Sequence, residues 1–143
     1  MSIGTVKIHV KAVLDTNVLI SAIGFGGKPR EVFLLLFEEN ITFVTSLILL
    51  AELHEVINKK FPRFVSQLSG VRQIIEKKFY IVQPLKSLHI LEDEDDNRVL
   101  EAAVEAHADY IVTGDSDLLR LKTFRKIVIV APDQFVKEIT SRL

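Results

Sequence analysis

The stretch Ala12-Val13-Leu14-Asp15-Thr16-Asn17 decides the reading of this chain. Residues 10–14 form a short apolar run that ends abruptly on a carboxylate. A later stretch, Tyr110-Ile111-Val112-Thr113-Gly114-Asp115-Ser116-Asp117, is built the same way, with an apolar strand-like run and then an acidic turn. Near-continuous apolar runs of this kind suit parallel strands buried on both faces. In open parallel sheets, sites lie beyond the carboxyl ends of the strands. Asp15 and Asp115 are therefore expected on one edge of one sheet.

Further strands are expected over residues 41–44, 80–82 and 127–130, giving five in all. Helices are expected between them. The glycine-rich break at Gly24, Gly26, Gly27 and Pro29 precedes a helix over 30–39, and Ser46 is a good N-cap for a helix running to about Lys60. Pro62 starts a helix that reaches Phe79, with a break near Ser69-Gly70. The acidic segment 92–96 leads into a helix through His107, and shorter helices follow over 115–121 and 132–141. Alternating strands and helices predict an α/β fold, a parallel sheet covered on both faces. Residues 1–11 alternate apolar positions with Lys and His, as in a strand.

The chain has 143 residues, 48% of them hydrophobic, which suits one domain over 1–143 and argues against disorder. It has no cysteine, so thiolate metal sites and disulfides are excluded and a cytoplasmic setting is expected. Any metal must be held by oxygen or imidazole. With only four His, carboxylates are the better ligands, which favours Mg²⁺ or Mn²⁺ over Zn²⁺. The N-terminus lacks the apolar core of a signal peptide, and the longest apolar run, residues 47–51, is too short to span a bilayer. The net charge of −1 does not advertise a nucleic-acid binder. Local basic clusters exist, however, among them Lys59, Lys60 and Arg63.

Four acidic stations carry the functional signal. Asp15 follows the first strand. Glu52 borders the apolar stripe of Leu49, Leu53 and Ile57 on its helix. Asp96 sits in the run Asp93-Glu94-Asp95-Asp96, aligned with Leu100 and Ala103; Asp95 is aligned with Val99 and Ala102 and stands as the alternate. Asp115 and Asp117 follow the fourth strand, with Thr113 beside them. Each station has a plain structural reading as a helix cap, a turn or a solvated boundary residue. Their conjunction points to chemistry, because carboxylates gathered in one cleft repel one another unless a cation holds them. A Mg²⁺ so held polarises a phosphoryl oxygen and activates water. There is no P-loop: Gly24-Phe25-Gly26-Gly27-Lys28-Pro29 lacks its spacing and its Ser/Thr.

The ordered set of Asp15-Thr16-Asn17-Val18, Ser46 with Glu52, Asp96 with Leu100 and Ala103, and Thr113-Gly114-Asp115 with Asp117 resembles the PIN domain family of metal-dependent ribonucleases. The likeness is greatest to its VapC-like branch, the toxin components of toxin–antitoxin pairs. The resemblance implies a three-layer α/β/α fold with a central parallel five-stranded sheet, and Mg²⁺- or Mn²⁺-dependent cleavage of RNA. It implies Asp15, Glu52, Asp96 and Asp115 as the catalytic and metal-holding quartet, with Thr113 in support and Asn17, Asp117 and Asp95 as auxiliaries. It further implies a homodimer and an antitoxin partner that inserts into the acidic groove. Lys59, Lys60 and Arg63 are the expected RNA contacts. Three rival readings remain: an RNA-processing or quality-control nuclease without an antitoxin, a non-catalytic binding module, and a haloacid-dehalogenase-like phosphatase. The last needs a second Asp where Asn17 stands.

Overall fold

The structure, a computed structural model, describes residues 9–141, so the strand character expected of residues 1–8 lies outside the described part. The strands are β1 (Val10–Leu14), β2 (Ile41–Ser46), β3 (Tyr80–Val82), β4 (Tyr110–Val112), β5 (Thr123–Phe124) and β6 (Ile127–Val130). They form one sheet in the order β3-β2-β1-β4-β6-β5. All pairings are parallel except that of β5 with β6. The helices are α1 (Thr16–Gly24), α2 (Gly27–Leu34), α3 (Leu47–Lys60), α4 (Val65–Lys78), α5 (Glu94–Ala106), α6 (Ser116–Leu121) and α7 (Pro132–Thr140).

Alternation along the strands divides the core into two layers. Ala12, Leu14, Phe43, Tyr110 and Val112 face a cluster completed by α1, α2, α3, α4 and α7. Val13, Val44, Ile111 and Ile129 face the opposite way, onto α5 and α6. On α5 the inward residues include Ala102, Ala103 and Ala106, whose small side chains let the helix lie close to the sheet. The result is the expected α/β/α sandwich.

β1 is central, with β2 on one side and β4 on the other. The winding reverses there, and such a switch point opens a crevice past the strand ends. Asp15 and Thr113 leave the sheet side by side at that crevice, since Leu14 is in register with Val112.

Three expectations need correction. The sheet has six strands, not five. β5 is only two residues long, below the length at which alternation can be read, and it turns back through Arg125 and Lys126 at φ 49° and 70°. Two successive positive-φ residues make a tight hairpin turn, a role usually filled by Asn-Gly. The helix expected over 30–39 begins earlier and ends earlier, at Gly27–Leu34, with a 3₁₀ turn over Leu35–Phe37. Gly26 and Gly27, both at positive φ, bring the chain into it. No break occurs at Ser69-Gly70: α4 is continuous, and a side chain at Gly70 would meet open space, so glycine costs only its intrinsic helix penalty of about 1 kcal/mol. One helix, α1, escaped the reading altogether. Asp15 caps it directly from the strand end, leaving no loop to signal its start.

Candidate active site

Asp15 stands at the join of β1 and α1 and is 6% exposed. Its Oδ1 accepts the Thr16 amide at 2.7 Å. Its Oδ2 accepts the Thr113 hydroxyl at 2.7 Å and the Asn17 side-chain amide at 3.2 Å. Asn17 in turn accepts the Gly114 amide at 3.2 Å through Oδ1. The Thr113 hydroxyl oxygen also accepts the Asp115 amide at 2.9 Å. Asn17 and Thr113 thus lace the end of β1 to the end of β4.

Asp115 caps α6, its Oδ1 accepting the amides of Asp117 and Leu118 at 2.8 and 3.2 Å. Asp96 lies in the first turn of α5 and is 6% exposed, with an Oδ2 that is buried and has no hydrogen-bond partner. Asp96, Asp115 and Asp117 each present a carboxylate oxygen within 4.8 Å of the others. Asp117 therefore belongs to the tightest acidic group, a closer place than an auxiliary role suggests. It also pairs with Arg120 at 2.9 Å.

Glu52 is half-buried on α3. Burial pushes its carboxyl up to about 7, helped by the negative charges of Asp95, Asp15, Asp93 and Asp96. Asp96 is pushed up to about 7 as well, by burial first and then by Asp115, Asp93, Asp15 and Asp117. Asp15 is raised above the carboxylate range by burial, with Asp115 and Asp95 adding to the rise and the Thr113 and Thr16 hydrogen bonds opposing it. These mutual repulsions tie the carboxylates of all four segments into one electrostatic unit.

Asp95 and Asp96 divide the work. Asp96 points inward to Asp115 and Asp117. Asp95 is exposed, but it is the strongest negative neighbour of Glu52 and lines with it a cavity of about 450 Å³. Lys59 and Lys60 line the same cavity, while Arg63 lies beyond it, with its guanidinium over the Phe64 ring.

Three polar residues that the sequence reading passed over hold this arrangement. Asn97 is fully buried. Its Oδ1 accepts the amides of Ile90 and Leu91 at 3.1 and 2.9 Å, and its Nδ2 donates to the Leu91 carbonyl at 2.8 Å. Glu101 accepts the Leu88 amide at 2.8 Å and pairs with Arg98 at 2.8 Å. Glu105 accepts the Leu85 amide at 3.1 Å. Spaced four apart, the three line one face of α5 and moor the segment between β3 and α5. That segment ends at Asp93, the cap of α5, whose first turn presents Asp95 and Asp96 to the cleft. The signal was present as a polar i, i+4, i+8 stripe beside an apolar segment without period.

The donor set suits a hard divalent cation. All the ligands are oxygens, no Lys or Arg enters the group except Arg120 at its rim, and a buried oxygen of Asp96 lacks a partner. A cation of the Mg²⁺ or Mn²⁺ type would satisfy that oxygen and relieve the repulsion.

Comparison with known proteins places the chain in a family. The PIN domain profile matches residues 11–117. The uncharacterized protein MJ1680 of Methanocaldococcus jannaschii is 32% identical over 145 residues, covering 92% of this chain and 93% of that protein. The crystal structure of VapBC2 from Rickettsia felis, bound to a DNA fragment from their promoter, superposes with a TM-score of 0.57 at 20% identity. The match covers 84% of this chain and 97% of the other, and it speaks for the fold. This chain belongs to the PIN domain family.

Proposed function

We propose that the chain is a single PIN domain over 1–143 that acts as a metal-dependent endoribonuclease, hydrolysing RNA phosphodiester bonds, and that it is the toxin of a toxin–antitoxin pair. The observation that carries this reading is the meeting of the Asp96, Asp115 and Asp117 carboxylates within 4.8 Å of one another beside the unpartnered Asp96 Oδ2, with Asp15 and Glu52 near enough to share their charge. Asp15, Glu52, Asp96 and Asp115 would hold Mg²⁺ or Mn²⁺, with Asp117 and Asp95 adding charge at the two flanks. Once bound, the cation polarises a phosphoryl oxygen and lowers the pKa of the attacking water.

The chain's own groups do the rest. Thr113 and Asn17 fix both the position and the rotamer of Asp15, so its oxygens need not reorganise when charge develops. Lys59, Lys60 and Arg63 provide positive charge for phosphates beside the acidic cleft. The likeness in fold to VapBC2 agrees with an antitoxin partner. An apolar cavity of about 270 Å³ between α1, α2 and α4, with Leu34 and Phe37 exposed nearby, offers surface for such a partner. A homodimer and a cytoplasmic location complete the proposal. No helix among the described residues is long and apolar enough to cross a membrane.

The test is incubation of purified protein with mixed RNAs, with and without Mn²⁺, beside Asp15→Asn. Cleavage that needs the ion and is lost in the variant supports the reading. Cleavage by Asp15→Asn at the wild-type rate, or none by the wild type with Mn²⁺, overturns it.

A further inference from the structure

One stripe of α3 leads from the acidic cleft to an aromatic corner. Ile48, Glu52, Glu55, Val56, Lys59 and Lys60 recur at three- and four-residue spacing and so share one face. All of them line the 450 Å³ cavity, with Asp95 across from them. The groove is graded in charge, with carboxylates at one end and ammonium groups at the other. Lys59 is engaged by Glu55 at 2.7 Å. Neither Lys60 nor Arg63 pairs with a carboxylate among the described residues.

Where α3 ends, three rings assemble. Phe61 and Phe64 stack with centroids 5.7 Å apart and planes 11° apart. Phe25, at the end of α1, sets its ring edge-to-face against both, at 6.0 and 5.6 Å. Gly24 makes room for this, because a Cβ there would lie 2.2 Å from Phe64 Cε2. Phe64 is buried, but Phe25 remains 61% exposed. A large ring set in water against two other rings, beside cations that no carboxylate among the described residues neutralises, is poorly explained by core packing. It is well suited to receiving a flat apolar face flanked by negative charge.

We infer that Phe25 is a stacking platform for an unpaired nucleobase, and that Lys60 and Arg63 hold the adjoining phosphates of single-stranded RNA whose backbone runs along the α3 groove into the acidic cleft. The inference rests on the RNA-cleavage reading and adds a residue of this chain that holds the substrate outside the cleft. Every base has a face to stack, so the platform tolerates any sequence, but a duplex hides those faces. Glu52 and Phe61 are nine residues apart on the helix and its cap, or about 13 Å along the axis, so the bound base lies outside the cleft rather than at the cut. The polyanion favours this corner over a neutral protein segment, because Arg63 lies over the Phe64 ring that Phe25 also touches and the α3 groove reaches Lys60, the residue before Phe61.

The chain contains no Trp, so Phe25→Trp adds a single emitter that keeps a stacking surface. Its fluorescence, excited with metal chelated to prevent cleavage, is followed during titration with a single-stranded oligoribonucleotide of mixed sequence and with the matching duplex. Saturable quenching by the single strand, and an affinity for the duplex about ten-fold weaker or worse, is expected. Phe25→Leu, checked by circular dichroism for retained fold, should bind the single strand about ten-fold more weakly in anisotropy measurements. Wild-type affinity in Phe25→Leu, or binding without quenching in Phe25→Trp, overturns the platform. Quenching only by a protein partner overturns it too. If metal-dependent cleavage persists in those cases, the nuclease reading stands without the platform. Quenching by RNA with no cleavage in either ion keeps the platform and sinks the nuclease.

Discussion

The Thr113 hydroxyl donates to Asp15 Oδ2 across 2.7 Å, joining two strand ends that are 98 residues apart in the chain. The same hydroxyl oxygen takes the Asp115 amide, so one buried Thr orients the Asp15 carboxylate and the main chain that carries Asp115. Thr113→Val keeps the shape and deletes both contacts. Outer hydrogen-bond partners of this kind typically govern metal affinity by about 10–100-fold. Mn²⁺ affinity measured by calorimetry should fall within that range, with little change in circular dichroism. Unchanged affinity would show that Asp15 needs no such support.

Asp96→Asn should stabilise the metal-free protein. It removes one charge from a crowded group and gives the orphaned Oδ2 position a side chain that can donate or accept. A rise in Tm of about 2–4 °C in chelator is expected. The gain that Mn²⁺ confers on the wild type should shrink in the variant. A lower Tm in chelator would contradict the repulsion.

The metal-free protein should lose stability as pH rises through neutrality. Glu52 and Asp96 have native carboxyls near 7, above their ordinary values of 4.5 and 3.8. The native state therefore holds protons that the unfolded chain has released. This contribution is fully present below about pH 4 and is lost as pH rises through about 7. Tm in chelator should decline between about pH 4.5 and pH 7 and level off above that, and saturating Mn²⁺ should flatten or reverse the decline. A flat profile without metal would refute the shared electrostatic unit.

Asn97→Ala should destabilise the fold by about 2 kcal/mol or more, because it strips partners from two amides and a carbonyl in the segment before α5. Urea unfolding measures the loss. Metal affinity should fall in parallel, since the slackened segment leads through Asp93 into the first turn of α5, which carries Asp95 and Asp96.

Much of the fold was legible because its strands are continuous apolar runs closed by Asp15, Thr113 or Pro84, and because Ser46 and the 93–96 acids are conventional helix starts. The approach of Asp115 to Asp15 was legible for the same reason, since parallel strands share a carboxyl edge. Its finer partition was not. Asp95 and Asp96 differ by one helical step of about 100°, enough to send one to Glu52 and the other to Asp115, and two apolar alignments on α5 left both directions open. Phe25 carried no period to mark it, because its importance lies in rings contributed by another part of the chain.

The sheet closes on stubs at both margins, Tyr80–Val82 on one side and the two-residue Thr123–Phe124 on the other. Such truncated borders leave few open main-chain groups for a neighbouring molecule to zip onto. Among the described residues, companions must therefore be recognised by helix surfaces and their side chains, and substitutions there can change the choice of companion without disturbing the backbone that presents the acids.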